Sequence, residues 1–421
     1  MKNLNLPYFS TQLCTIEVAL LLFGGAFSSS CSSTPTPDQE FATLEGPRFE
    51  LPEEVLLDVR VQVFEPGKLP SSTKAAAQGL SDEIRSAEAT YVAVQLKKTL
   101  EDCGRWGAVR VVPSEHTGAE LQVTGRIARS NGEELKLKVK VVDATGRKWF
   151  DKSFHGAVSQ EQATEAAEQQ GEVFQSLYNQ VANELTKHAR KLTFDEALEI
   201  RKVAELRFVE ELVPSTFGGY LKTTRGLSGR KTIRLERMPS QEDEFIGRIQ
   251  RIQVRDQMLV DTIDAHYEDF HREMGPAYTN WRQLRLADIS LTRAAEDKKS
   301  PEPSTGATVF MRGGGTEGAV DEAEQVQQIP ASAGGSGIGA GTQQLMSADH
   351  ARQEGEASRA ILEQLGASFN AGVEPVSLEV EENTIQLSGT VEDQYERWRG
   401  LLAVLYKVEA SRGIIPEAGD K

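Results

Sequence analysis

Hydrophobic and polar residues alternate between positions 55 and 64, with Leu57, Val59, Val61 and Val63 on one side and Asp58, Arg60 and Gln62 on the other. A period of two belongs to a strand with one buried face. Pro66-Gly67 turns the chain. From Ser81, a residue suited to cap a helix, the pattern becomes helical as far as Cys103 and closes at Gly104. Residues 108–112 predict a second strand, and Leu121, Val123 and Ile127 a third. After an Asn131-Gly132 turn, Leu135, Leu137, Val139 and Val141 predict a fourth, and Asp143-Ala144-Thr145-Gly146 leads into a last strand over 149–154. This order predicts an α+β fold, one helix packed on a mostly antiparallel sheet.

Beyond Ser159 the pattern turns helical. Phe174, Leu177, Tyr178, Val181 and Leu185 line one face, and Thr193-Phe194-Asp195-Glu196 reads as a capping box that opens a helix to Leu212, before Pro214. A long helix from about Gln241 presents Ile249, Ile252, Leu259, Ile263, Tyr267, Phe270 and Met274 and is expected to break at Gly275-Pro276. A further helix carries Tyr278 and Trp281. Residues 158–298 therefore read as a helical region whose stripes pack helix to helix, in the manner of a coiled coil. Residues 299–348 are rich in glycine, serine and proline and read as a disordered linker, because they bury too little apolar surface to offset the entropy of ordering. Residues 349–412 read as a small α+β module: a helix with Ile361, Leu362, Leu365 and Phe369, strands at 376–380 and 384–389, and a helix from Thr390.

The first thirty residues change the picture. Lys2, the apolar run Val18-Ala19-Leu20-Leu21-Leu22-Phe23 and the small residues Ser28-Ser29-Ser30 ahead of Cys31 have the parts of a signal peptide, and the run is too short to span a bilayer, which takes ~20 apolar residues. This arrangement resembles the lipobox of bacterial lipoproteins. The resemblance implies cleavage before Cys31, diacylation of Cys31 (palmitate among the lipid) as the new amino terminus, and a place in the cell envelope. Residues 31–49, starting Ser32-Ser33-Thr34-Pro35-Thr36-Pro37, read as a tether. Ser32 is not the aspartate that retains such lipoproteins in the inner membrane, so the implied location is the outer membrane, facing the periplasm.

Residues 50–157 also look familiar. Arg110-Val111-Val112-Pro113, then 119–126 with Gly125, then 137–146 ending in Val142-Asp143-Ala144-Thr145-Gly146, resemble the domain shared by the TolB amino terminus, the curli secretion lipoprotein and the lipoprotein activators of peptidoglycan synthases. The run 378–391 resembles the first half of a BON domain, a small periplasmic module associated with membrane surfaces. Together these imply a membrane-anchored binding, scaffold or assembly factor, or, as the alternative, a regulator (activator) of a peptidoglycan synthase or a chain that itself acts on the cell wall. Neither names the partner.

Composition and candidate chemistry narrow this further. A net charge of −16 disfavours nucleic acid, which needs a basic face. Of three cysteines, Cys14 leaves with the signal and Cys31 carries lipid, so Cys103, on a helical apolar stripe, is expected to be a buried structural thiol. His266 and His271 stand five apart, so they point to different helix faces and read as solvated rather than metal-binding. Ser71-Ser72-Thr73-Lys74 is a lone Ser-x-x-Lys string without its companion motifs, and Gly335-Ser336-Gly337-Ile338-Gly339 reads as linker with no strand before it or helix after it. No catalytic constellation, metal site or cofactor site is expected, hence no enzyme. One stretch runs against the acidic average: Lys222, Arg225, Arg230, Lys231, Arg234 and Arg237 make 221–237 basic. Such a loop suits anionic lipid headgroups or an acidic partner, unless it pairs with the Glu-rich helices nearby.

Overall fold

The first predicted strand forms β1 (Val59–Gln62), and it lies inside a five-stranded sheet of order β2-β1-β3-β4-β5, with β2 at Val109–Val112, β3 at Leu121–Ser130, β4 at Glu134–Asp143 and β5 at Lys148–Ala157. The structure is a computed structural model that describes residues 41–47, 51–71, 80–169, 171–212, 219–226, 231–237, 244–299, 337–380 and 383–412. β1 runs parallel to both its neighbours, whereas β3–β4 and β4–β5 are antiparallel. With the hairpins β6 (Leu221–Arg225) to β7 (Lys231–Leu235) and β8 (Val373–Val380) to β9 (Asn383–Gly389), four of the six ladders among the described residues are antiparallel. The α+β class holds.

Helix α1 (Asp82–Asp102) connects β1 to β2 and covers one face of the sheet. Ser81 accepts the Ile84 N–H at its start, and Gly104 takes a φ of 62° just beyond its end, as the capping pattern predicts. Leu135, Leu137, Val139 and Val141 of β4 point into the core while Lys136, Lys138 and Lys140 face out. Gly125 of β3 is needed where Phe64 crosses the sheet: a Cβ there would stand 2.3 Å from the Phe64 ring. Helix α2 spans Gln160–Glu168, α3 spans Gln175–Ala189 and packs on β5, and α4 spans Phe194–Leu212. The capping box is reciprocal: Glu196 N–H donates to Thr193 Oγ1 at 3.2 Å and Thr193 N–H to Glu196 Oε2 at 2.9 Å.

Four expectations are corrected. The long helix does not break at Gly275-Pro276; α5 runs unbroken from Glu244 to Lys299 with Pro276 inside it. The apolar stripe continues through the proline, since Met274, Tyr278 and Trp281 are buried with Phe270 against α1, and that packing outweighs the lost hydrogen bond. Helix α6 (Gly337–Ala371) starts within the expected linker, so Gly337-Ile338-Gly339 belongs to a helix. The helix-forming residues downstream, among them Gln343, Gln344, Leu345 and Met346, carry it there. Residues 300–336, the rest of that linker, lie outside the described residues. β1 is not half-buried, because Arg60 on its polar side is 5% exposed beneath the helices that cover the back of the sheet. Residues 41–46, expected in the tether, are instead docked on α3 by hydrogen bonds to Ser176 and Asn183.

Helix α7 (Val391–Arg412) completes the chain's described part and packs on the β8–β9 hairpin, α5 and α4. Its Thr390 cap repeats the reciprocal pattern with Asp393. Strand β2 is an edge of the sheet, and α5 closes it: Asp264 Oδ1 accepts the Val111 N–H at 2.7 Å while Oδ2 takes the Lys97 ammonium at 2.5 Å. An edge N–H satisfied in this way is no longer a template for another strand.

Candidate functional site

Cys31, the predicted lipid attachment residue, lies outside the described residues, as does the rest of 1–40. Ser176, Asn179, Asn183 and Arg190 form one stripe along α3, and the segment from Ala42 to Gly46 lies along that stripe. Ala42 N–H donates to Ser176 Oγ at 3.0 Å, and Asn179 and Asn183 amides donate to the Ala42 and Thr43 carbonyls, each at 2.8 Å. Glu45 N–H donates to Asn183 Oδ1 at 2.8 Å, and the Glu45 carboxylate meets Arg190 at 2.6 Å. The extended segment has its backbone groups answered by side chains, which fix it on α3.

A cleft of about 310 Å³ opens behind β1, between the sheet, α4 and α5. Its walls are polar: Asp58 and Arg60 from β1 and its approach, Glu120 from the start of β3, Arg201 and Glu205 from α4, and Gln250, Gln253 and Gln257 from α5. The alternation that makes β1 a strand is what sends Asp58 and Arg60 to this side. Glu120 Oε2 accepts the Asp58 N–H at 2.7 Å, and Arg201 spans Glu120 and the Leu56 carbonyl, the latter at 2.7 Å. Burial, and then the nearby Asp58 charge, raise the Glu120 carboxyl to about 7 against the hydrogen bonds that lower it. Burial likewise raises Glu205.

Arg60 is the anomaly of the cleft. Its Nε and Nη1 are buried without hydrogen-bond partners, and burial, then the Arg110 charge, push its pKa below the ordinary value. Asp58 and Asp256 oppose that shift. Behind it, Gly118 N–H donates to His116 Nδ1 at 3.1 Å, so the ring hydrogen sits on Nε2 and goes to Asp256 Oδ2 at 2.8 Å. Chemically the lining can bind a polar molecule and exchange a proton at Glu120 near neutrality. Among its described lining residues there is no serine, threonine, cysteine or histidine, and the reactive groups are the carboxylates of Asp58, Glu120 and Glu205.

The other candidates separate clearly. His266 and His271 do leave α5 in different directions, but His271 is buried rather than solvated, a correction to the expected exposed face. It stacks on Tyr91 with ring centroids 4.2 Å apart. Among the described residues no group of three or more His, Cys, Asp or Glu side chains could hold a metal ion. Cys103 is 2% exposed and burial raises its thiol pKa, consistent with a structural role. Ser72, Thr73 and Lys74 of the Ser-x-x-Lys string lie outside the described residues. In the basic segment, Lys222 pairs with Glu236 at 3.7 Å, within the same hairpin, and not with the Glu-rich helices.

Arg60, Glu120 and the glutamines of α5 are illegible in the sequence because each looks like an ordinary solvent-side residue of its own element. Only the fold brings them to one cleft. No described helix is long and apolar enough to cross a membrane. No family model, no curated protein and no solved structure matches the chain.

Proposed function

We propose that this chain is an envelope lipoprotein, anchored through lipid on Cys31 to the periplasmic face of the outer membrane, and that it acts as a non-enzymatic binding, scaffold or assembly factor. The observation that carries the reading is the run of apolar and small residues ending at Cys31, ten residues ahead of Phe41, where the described body starts. Ten extended residues reach at most about 35 Å, so lipid on Cys31 would hold the body close to the bilayer. Labelled palmitate should enter the wild-type chain and not Cys31→Ala. Equal labelling of both would end the anchor reading. The second reading, an activator of a peptidoglycan synthase, draws support from the strand pattern of residues 110–146 alone. Cross-linking in intact envelopes separates the two: recovery of a synthase favours the second, recovery of assembly or secretion components the first.

A further inference from the structure

The β6–β7 hairpin is a finger of largely unpaired positive charge, among the described residues, on an acidic protein. Its register sets Lys222 directly opposite Arg234 and Arg225 directly opposite Lys231. Like charges at such cross-strand positions work against the pairing that holds the strands together. The hairpin's single described carboxylate, Glu236, answers Lys222. Arg237 lies over the Tyr220 ring at 4.6 Å, and Arg225, Lys231 and Arg234 form no ion pair with any described residue. The rest of the chain carries the opposite sign, with −16 overall.

The finger is nevertheless firmly seated. By the strand's two-residue period Leu221, Ile233 and Leu235 share a face, and all three pack against the main core. Ile233 N–H donates to the Thr145 carbonyl at 2.8 Å, beyond β4. Gly146, at a φ of 80°, lets the backbone of Lys231 approach so closely that a Cβ there would stand 2.6 Å from the Lys231 carbonyl oxygen. The apolar face thus fixes the finger to the body, and the opposite face presents Lys222, Thr224, Thr232 and Arg234 to solvent.

We infer that this hairpin docks on an anionic phospholipid surface, its lysine and arginine side chains meeting headgroup phosphates. The inference rests on the anchored-lipoprotein reading for one point only: lipid on Cys31 would keep the chain tethered at a bilayer, so that the finger can approach an anionic leaflet whose field fades over about 10 Å at 0.1 M salt. Each basic residue near such a surface is worth roughly five-fold in partitioning, so two together are worth roughly 25-fold.

The test uses the full chain carrying Cys31→Ala, which has no acyl group, so its outcome does not depend on whether Cys31 is lipidated in the cell. Co-sedimentation is measured with vesicles of phosphatidylcholine alone and of phosphatidylcholine mixed with phosphatidylglycerol. Binding is expected to the mixed vesicles only, to weaken as salt is raised, and to fall roughly 25-fold or more when Lys222→Glu and Arg234→Glu are added. Lys136→Glu with Lys140→Glu, an equal change of charge on the exposed sheet face, should leave it within about two-fold. The inference is overturned by equal binding to both vesicles, by an unchanged hairpin variant, or by equal losses in the two variants. It is also overturned if vesicles are ignored while the hairpin variant loses a cross-link to an acidic envelope protein.

Discussion

Glu120 and His271 each have surroundings that set a pH response, and their signs are opposite. Glu120 is raised from 4.5 to about 7 by burial, so between those values the folded chain holds a proton that the unfolded chain has released. Stability contributed by that proton is present at low pH and is lost as pH rises through about 7, roughly 3 kcal/mol at most. His271 is lowered from 6.5 to about 4 by burial and then by the Lys98 charge. The Lys98 ammonium can only donate, so His271 Nδ1 accepts it at 3.1 Å, and Nε2–H goes to Gln95 Oε1, also at 3.1 Å. Protonating the ring would break the first of these bonds. Here the unfolded state takes up the proton first, and stability is lost as pH falls from 6.5 towards 4, again by roughly 3 kcal/mol. Denaturant midpoints measured across this range should show Glu120→Gln gaining on the wild type as pH rises and His271→Gln gaining as pH falls. Variants whose profiles run parallel to the wild type would show that these two groups are not the source.

Among elements, α5 has the least expected form. It is 56 residues long, carries a Gly-Pro pair near its middle, and still runs through without a break. The position of Pro276 removes the N–H that would bond to the Arg272 carbonyl and crowds that turn, at about 3 kcal/mol in an ordinary helix interior. Pro276→Ala should therefore raise the melting temperature, by up to about 3 kcal/mol of stability. A Cβ at Gly275 meets nothing within 4 Å, so Gly275→Ala should add about 1 kcal/mol by the same calorimetric measurement. A loss in both variants would mean that the pair sets a bend which the packing of Met274 and Tyr278 requires.

Across the molecule, the cores do not follow the order of the chain. The main cluster joins Val59 and Leu137 of the sheet to Leu177 of α3, Ile200 of α4, Ile252 of α5 and Trp398 of α7. A second joins Ile84 of α1, Phe270 of α5 and Leu362 of α6. The carboxy-terminal helix, hairpin and helix thus share their buried surfaces with the rest of the body. Heating should produce one cooperative transition, and a chain ended after Lys299 should melt earlier, because it uncovers Phe270, Tyr278 and Ile252. Two transitions in the full chain, with the upper one unchanged by the truncation, would contradict shared stability.

The elements themselves are legible in the sequence wherever a local rule decides. Ser81 and Gly104 bound α1, the Thr193 and Thr390 caps open α4 and α7, and the period-two runs give β3 and β4 their faces, because capping and side-chain alternation act within a few residues. Local rules fail where distant contacts outweigh them. Pro276 is tolerated because residues of α1 and α6, far away along the chain, bury the stripe around it, and Arg60 is sealed in because helices that the strand pattern cannot see cover its face. The polar cleft is illegible for the same reason: Asp58, Glu120, Arg201 and Gln253 are separate surface-type residues until the fold gathers them. The positive stretch at 221–237 lies between these cases. Its charge is plain in the sequence, and the exposure of its strands with one described acidic partner, Glu236, was decided by tertiary structure, because neutralisation depends on which side chains lie within a few ångströms in space.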